Sequence, residues 1–179
     1  RRSWARGAAV LAWLAIGARG EVIETQLTER RQVMLDDGTV VQLEPETKLR
    51  VKFEDHLRRV TLERWRALFR VSKNPQGPFL VSVDNTSVRA VGTAFGVENG
   101  KRGVVVTVAE GKVAVGRGQV SDVLPETAPQ ATGGASSSTG SPATQTEIFL
   151  TAGQQVTVPS SGVVDPVRAV DTTRALAWA

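Results

Sequence analysis

The sequence predicts an all-β fold of short antiparallel strands, arranged as a sandwich or a β-solenoid-like domain. Three observations carry that expectation. Apolar and polar residues alternate in period two through stretches such as Leu49-Arg-Val-Lys-Phe53, the pattern of a half-buried strand. Val104-Val-Val-Thr-Val108 is β-branched throughout, which suits a pleated surface. Turn residues recur at intervals of about 8–12 residues, with no long stripe at helical spacing between them.

The strand-like body starts at Glu21 and runs to Val115. Val33-Met-Leu35 and Val40-Val-Gln-Leu43 are joined by Asp36-Asp-Gly-Thr39, which reads as a hairpin turn rather than a pair of catalytic carboxylates. Leu49–Phe53 leads into the turn Glu54-Asp55-His56. Ala67-Leu-Phe-Arg-Val71, alternating in its second half, reads as a further strand. Asn74-Pro75-Gln76-Gly77-Pro78 then breaks the pattern before Phe79-Leu-Val-Ser-Val83. Asp84-Asn85, Asn99-Gly100 and Glu110-Gly111 supply later turns, and Lys112-Val-Ala-Val115 closes the run. The expected core is Phe53, Leu62, Phe69, Val71, Phe79, Val81, Phe95, Val97, Val106, Val108 and Val113.

Residues 116–147 differ in kind. Gly116-Arg-Gly118 opens a Gly/Ser/Thr/Pro-rich stretch almost without large apolar side chains, which cannot offset the entropy of ordering and is expected as a flexible loop. Residues 148–170 return to strand, with Ile148-Phe-Leu150 and Gln154-Gln-Val-Thr-Val158 on either side of Gly153. Residues 171–179 open a helix, with Asp171 or Thr172 as its cap and Leu176 and Trp178 as its apolar positions. It is expected to stop with nothing to pack on, as if the chain were cut there.

The chain of 179 residues has a formal net charge of +4, from 22 basic and 18 acidic side chains. Arg1, Arg2, Arg6 and Arg19 supply all of that excess, since 22 less these four leaves 18 basic against 18 acidic residues over 21–179. A nucleic-acid surface would need its cations on the folded body. There Arg58-Arg59, Arg64, Arg66 and Arg70 are interleaved with Glu54, Asp55 and Glu63, as on a solvated strand, so no nucleic-acid partner is expected.

Residues 1–20 form a basic end leading into the apolar run Gly7–Ala18. As a helix, Gly7–Ala18 would span only about 18 Å of a hydrocarbon core of about 30 Å. Snorkelling of Arg2 and Arg19 widens it to Ser3–Ala18. Three readings fit. One is a short inner-membrane span with Arg1, Arg2 and Arg6 on the cytoplasmic side. Another is a secretory signal, echoed by Arg1-Arg2-Ser3-Trp4 but lacking an A-x-A cleavage site. The third is a buried helix. Both membrane readings send everything after Arg19 across the bilayer, and with no initial Met the true start is expected elsewhere.

Much enzyme chemistry is excluded by composition. No Cys is present, which removes disulfides, thiolate zinc sites, iron–sulfur clusters and cysteine nucleophiles. The lone His, His56, has no second His or Gly-x-Ser-x-Gly elbow to complete a triad or zinc site. Gly96-Val-Glu-Asn-Gly100-Lys101 is one residue short of a phosphate loop, and Arg102 replaces the magnesium-binding hydroxyl. Gly116-Arg-Gly118 lacks the third glycine of a dinucleotide fingerprint. Asn85-Thr-Ser87 is a chance glycosylation match. No cofactor, metal or enzymatic activity on an outside substrate is expected.

The order of elements resembles the FecR family, the periplasmic sensor domain of inner-membrane anti-sigma regulators. The resemblance is carried by Glu29-Arg-Arg-Gln-Val-Met-Leu-Asp-Asp-Gly-Thr-Val-Val-Gln-Leu43, Arg59–Leu62, Ala67–Val71, Pro78–Val81, Val88-Arg-Ala-Val-Gly-Thr-Ala-Phe-Gly-Val97 and Val106-Thr-Val-Ala-Glu-Gly-Lys-Val113. Leu150-Thr-Ala-Gly-Gln154, Asp165-Pro166 and Arg174-Ala-Leu-Ala-Trp178 resemble the family's exit from this domain. The chain departs from the family at Trp65-Arg66-Ala67, where Gly-Glu-Ala is usual, and in the Gly/Ser/Thr-rich insertion.

The resemblance implies a relay. The signalling domain of an outer-membrane TonB-dependent receptor for a ferric siderophore or similar ligand would contact the periplasmic β-domain, and an extracytoplasmic-function sigma factor would respond after intramembrane proteolysis. It also favours the single-pass inner-membrane reading of residues 1–20. The family's sigma-binding region and its small α/β domain are not found in this sequence, so sigma contact is expected outside it. A self-cleavage at a Gly-Thr bond, matching Gly92-Thr93, is implied as well, against the plainer reading of Gly92 as a bend. The alternative function is a secreted or envelope structural β-domain serving as a scaffold.

Overall fold

The computed structural model describes residues 20–54, 57–73, 77–118, 147–161 and 163–178. The apolar stretch before Gly20, His56, the Asn74-Pro75-Gln76 part of the long turn and nearly all of the 116–147 loop lie outside the described residues. Among the described residues, no helix is long and apolar enough to cross a membrane.

The period-two stretches become strands because each buries alternate side chains against a common interior. In chain order they are β1 (Glu21–Glu24), β2 (Arg31–Met34), β3 (Val40–Leu43), β4 (Lys48–Glu54), β5 (Leu57–Arg70), β6 (Phe79–Val83) and β7 (Thr86–Ala90). They continue with β8 (Ala94–Gly100), β9 (Gly103–Glu110), β10 (Lys112–Arg117), β11 (Ile148–Thr151), β12 (Gln154–Val158) and β13 (Arg168–Ala169). The helix α1 (Thr172–Ala175) follows.

The strands form one sheet curled back on itself into two layers. The first layer runs β1-β4-β5-β6-β7-β10-β11 and the second β2-β3-β5-β8-β9-β12-β13. Strand β5 belongs to both: Leu57–Arg64 pairs with β4, while Ala67–Arg70 pairs with β3. Every pairing is antiparallel except β5 with β6.

The interior between the layers is apolar, and Phe69 sits at its centre. Its ring centroid lies 6.0 Å from that of Phe79 and 5.4 Å from that of Phe95. Leu62, Val71, Val81, Val97, Val106, Val108 and Val113 are buried around them, as expected from the alternation. Each such side chain contributes about 1.5–3 kcal/mol when taken out of water. Phe53 is a correction: it lies only partly buried at the margin, near the hairpin end of the β4–β5 ladder.

The chain passes between layers repeatedly, and left-handed residues mark these crossings. Glu46 (φ 59°) lies between β3 and β4, Trp65 (φ 64°) inside β5, and Gly92 (φ 61°) between β7 and β8. Gly111 (φ 82°) separates β9 from β10, and Gly153 (φ 81°) separates β11 from β12. A positive φ reverses the local twist and swings the strand axis, which is how one ladder can end and the other begin.

Four expectations are corrected. Ala67–Val71 is not a separate strand; a single strand of 14 residues carries Arg59–Leu62 and Ala67–Arg70 together, bent at Trp65 rather than broken by a turn. Trp65 thereby adopts a left-handed conformation that a glycine would take without strain. Strand β10 continues through Gly116 and Arg117, the first residues of the stretch expected as loop. Arg58 is buried rather than solvated. The helix capped by Asp171 does have something to pack on, namely the second layer at Gly96.

Candidate functional site

Gly92 and Thr93, singled out in the sequence, form the corner where β7 of the first layer gives way to β8 of the second. The left-handed Gly92 has no room for a β-carbon, because the aliphatic stem of Lys73 lies against it. Thr93 is buried, and its Oγ1 has no hydrogen-bond partner. Its carbonyl is held by the Val71 N–H at 2.8 Å. On the far side, a β-carbon on Gly111 would stand 2.7 Å from Thr93 Cγ2 and 3.4 Å from the Gly92 carbonyl oxygen. The Gly92-Thr93 unit is thus packed on two sides by neighbouring corners, with an unpartnered hydroxyl inside.

An ion pair braces the same end of the molecule. Arg58 Nη1 lies 2.6 Å from Asp37 Oδ2, with both side chains buried. Arg58 also donates to the Gly77 carbonyl at 2.9 Å and stands over the Phe79 ring at 5.5 Å. Asp37 accepts from the Thr39 N–H at 2.9 Å and from Thr39 Oγ1 at 2.7 Å. Thr39 Oγ1 in turn accepts from the Ser72 N–H at 3.2 Å, beside the Val71 and Lys73 that flank the Gly92 corner. The Asp36-Asp-Gly-Thr39 hairpin is therefore a structural clasp. Its arginine was not foreseen, because the groups that hold Arg58, Asp37 and the Gly77 carbonyl, are distant from it in sequence.

At the bend of β5, the Arg66 guanidinium lies between two indoles, 5.1 Å from the Trp65 ring and 4.8 Å from the Trp178 ring. Gly96, in the middle of β8, makes room for the tail: a β-carbon there would meet Leu176 Cδ2 at 2.5 Å and Trp178 Cζ2 at 3.2 Å. A glycine inside an alternating strand marks such close approach, and this signal was present in Ala94-Phe-Gly-Val97. The lateral edges of the layers are β1, β11, β2 and β13, each paired on one side. A cleft of about 230 Å³ lined by Asp84, Asn85, Arg117 and Pro159 is below the size of most small-molecule sites. Among the described residues, no cluster of His, Asp or Glu could hold a metal ion.

Residues 21–114 match the family model described as FecR protein. The chain belongs to the FecR family. The layered fold of this FecR chain is also similar to two crystal structures of a candidate anti-sigma factor from Parabacteroides distasonis ATCC 8503. One, at 2.50 Å resolution, is 25% identical with a TM-score of 0.68 and covers 89% of this chain. The other, at 1.65 Å resolution, is 26% identical with a TM-score of 0.67 and covers 88%. In each case the FecR chain spans 64% of the length of the matched structure. No curated protein sequence matches it.

Proposed function

We propose that this FecR chain is the periplasmic signalling β-domain of an inner-membrane sigma-factor regulator, relaying ligand occupancy of an outer-membrane TonB-dependent receptor to an extracytoplasmic-function sigma factor. The observation that carries the reading is the FecR match over residues 21–114, supported by likeness over most of the chain to a candidate anti-sigma factor. The described residues present no metal cluster, and their main surface resources are strand edges and one packed tail. Among the described residues, edge strands such as β11 pair on one side, and a receptor's signalling domain could add a strand to the other. A pull-down of the chain against the signalling domains of TonB-dependent receptors from the same genome tests this. Recovery of one receptor is expected, and recovery of none overturns the relay.

A second reading, self-cleavage at Gly92-Thr93, is supported by the orphaned Thr93 hydroxyl beside a left-handed glycine. Thr93 Oγ would attack the Gly92 carbonyl carbon. The C–O bond forms as the C–N bond breaks, and the hydroxyl proton passes to the Thr93 nitrogen. Water then hydrolyses the ester to leave a Gly92 carboxylate and restore the Thr93 hydroxyl. Intact mass of freshly purified protein should show fragments 1–92 and 93–179, abolished by Thr93→Ala. A single full-length mass overturns it.

A further inference from the structure

Two crossings between the layers lie side by side. Gly92-Thr93 carries the chain from β7 to β8, and Gly111 carries it from β9 to β10. Register brackets them: Ala90 is opposite Val113 on one side, and Ala94 is opposite Glu110 on the other. Gly111 is left-handed, at φ 82°. Its carbonyl accepts from the Ala152 N–H at 3.1 Å, which ties its backbone to the turn after β11 as well.

The bare α-carbon of Gly111 faces Thr93. A β-carbon there would stand 2.7 Å from Thr93 Cγ2, closer than two carbons can pack, and 3.2 Å from Thr93 Cβ. It would also stand 3.4 Å from the Gly92 carbonyl oxygen, so methyl and carbonyl share the side that Gly111 faces. Thr93 is buried, its carbonyl is held by the Val71 N–H at 2.8 Å, and its Oγ1 makes no hydrogen bond. The direction of that hydroxyl is therefore set by where the methyl sits, since a β-branched side chain moves both together between staggered wells. For an N-to-O shift this torsion is decisive. It brings Oγ1 toward the Gly92 carbonyl carbon or turns it away, because that carbon is bonded to the nitrogen of Thr93.

We propose that Gly111 is a positioning residue for self-cleavage at Gly92-Thr93: it admits the Thr93 methyl and so restricts Oγ1 to the remaining wells. The inference rests on the self-cleavage reading. In that reaction Thr93 Oγ1 bonds to the Gly92 carbonyl carbon as that carbon's bond to nitrogen breaks, and the hydroxyl proton passes to the nitrogen. Water then hydrolyses the ester to a Gly92 carboxylate and a free hydroxyl. Gly111 donates and accepts nothing in these steps; it acts through the methyl. Such placement matters, because a small misalignment of reacting atoms costs up to about 10²-fold in rate.

Serine separates the hydroxyl from the methyl. Its primary hydroxyl is the less hindered nucleophile, so chemistry alone makes Thr93→Ser at least as fast as wild type. With the methyl gone, Oγ can turn into the empty well against Gly111, and cleavage should slow about tenfold or more. Adding Gly111→Ala closes that well with a β-carbon, and the pair should cleave within about threefold of wild type. Gly111→Ala alone meets the methyl at 2.7 Å and should be slowest. The full chain is made by cell-free synthesis and followed by gel and intact mass, with circular dichroism and tryptophan fluorescence reporting folding. Hydroxylamine, which cleaves esters, should not restore the Thr93→Ser rate, because the step lost is the attack and not the hydrolysis. Thr93→Ser as fast as wild type, or restored by hydroxylamine, overturns the proposal and leaves self-cleavage standing. So does a folded pair no faster than Thr93→Ser. If the pair does not fold, Thr93→Ser with and without hydroxylamine decides. A wild-type chain that keeps a single full-length mass overturns self-cleavage itself, and this proposal with it.

Discussion

Leu176 occupies the space that a side chain at Gly96 would fill: a β-carbon on Gly96 would stand 2.5 Å from Leu176 Cδ2. The tail of the chain is therefore seated by an absence in β8. Gly96→Val should displace the tail without disturbing the interior, since residue 96 faces outward between the buried Phe95 and Val97. A loss of about 1–2 kcal/mol of packing is expected, read as faster tryptic cleavage after Arg174 and faster amide exchange over residues 172–178. A tail that stays protected would show that Gly96 does not define the seat.

The Asp37–Arg58 pair is buried on both sides. Asp37→Ala leaves a buried guanidinium without its counter-charge and should destabilise by about 3 kcal/mol or more in urea unfolding. The double variant Asp37→Ala with Arg58→Met should be more stable than Asp37→Ala alone, because the stranded charge is gone. Equal losses in the two would mean that Asp37 acts only through the Thr39 turn.

Trp65 spends left-handed strain at the bend of β5, and its ring returns part of it through Arg66 at 5.1 Å. Trp65→Gly relieves about 1 kcal/mol of strain and gives up a cation–π contact of about 0.5–1 kcal/mol, leaving stability nearly unchanged. Trp65→Ala gives up the contact and keeps the strain. The alanine variant should therefore unfold at lower urea than the glycine variant by about 1 kcal/mol.

The Glu63 carboxyl is held below its ordinary pKa chiefly by its hydrogen bond to Arg50; desolvation, next in size, opposes this, and the Lys48 hydrogen bond and the charges of both cations add smaller lowering effects. A depressed folded-state pKa stabilises above the unfolded value, and that contribution fades as pH falls through the folded value. Glu63→Gln should reduce stability at neutral pH, with the difference from wild type vanishing in acid. A difference independent of pH would assign the loss to packing.

What could be read from residues alone follows from how local each feature is. The all-β class and the core around Phe69, Phe79 and Phe95 were legible because period-two burial is written strand by strand. The hairpin at Asp36-Asp-Gly-Thr39 was legible for the same reason. The continuity of β5 was not, because Glu63–Arg66 offers no apolar alternation while its two ends pair with different partners. Burial of Arg58 was hidden because the groups that desolvate it, Asp37 and the Gly77 carbonyl, are distant in sequence. At the candidate site, Gly92 and Thr93 were singled out from the sequence, but the residues that press on them, Lys73 and Gly111, became visible only when the layers closed.

Because β5 is threaded through both layers, the molecule has no seam along which its halves could part. Neither layer can be shed as a stable remnant, since each would take the other's middle rung with it. Melting should be all-or-none, and grafting or circular permutation that opens the chain between residues 57 and 70 should cost the entire body, whereas trimming the chain from β13 onward removes an outer two-residue strand and the tail that follows it.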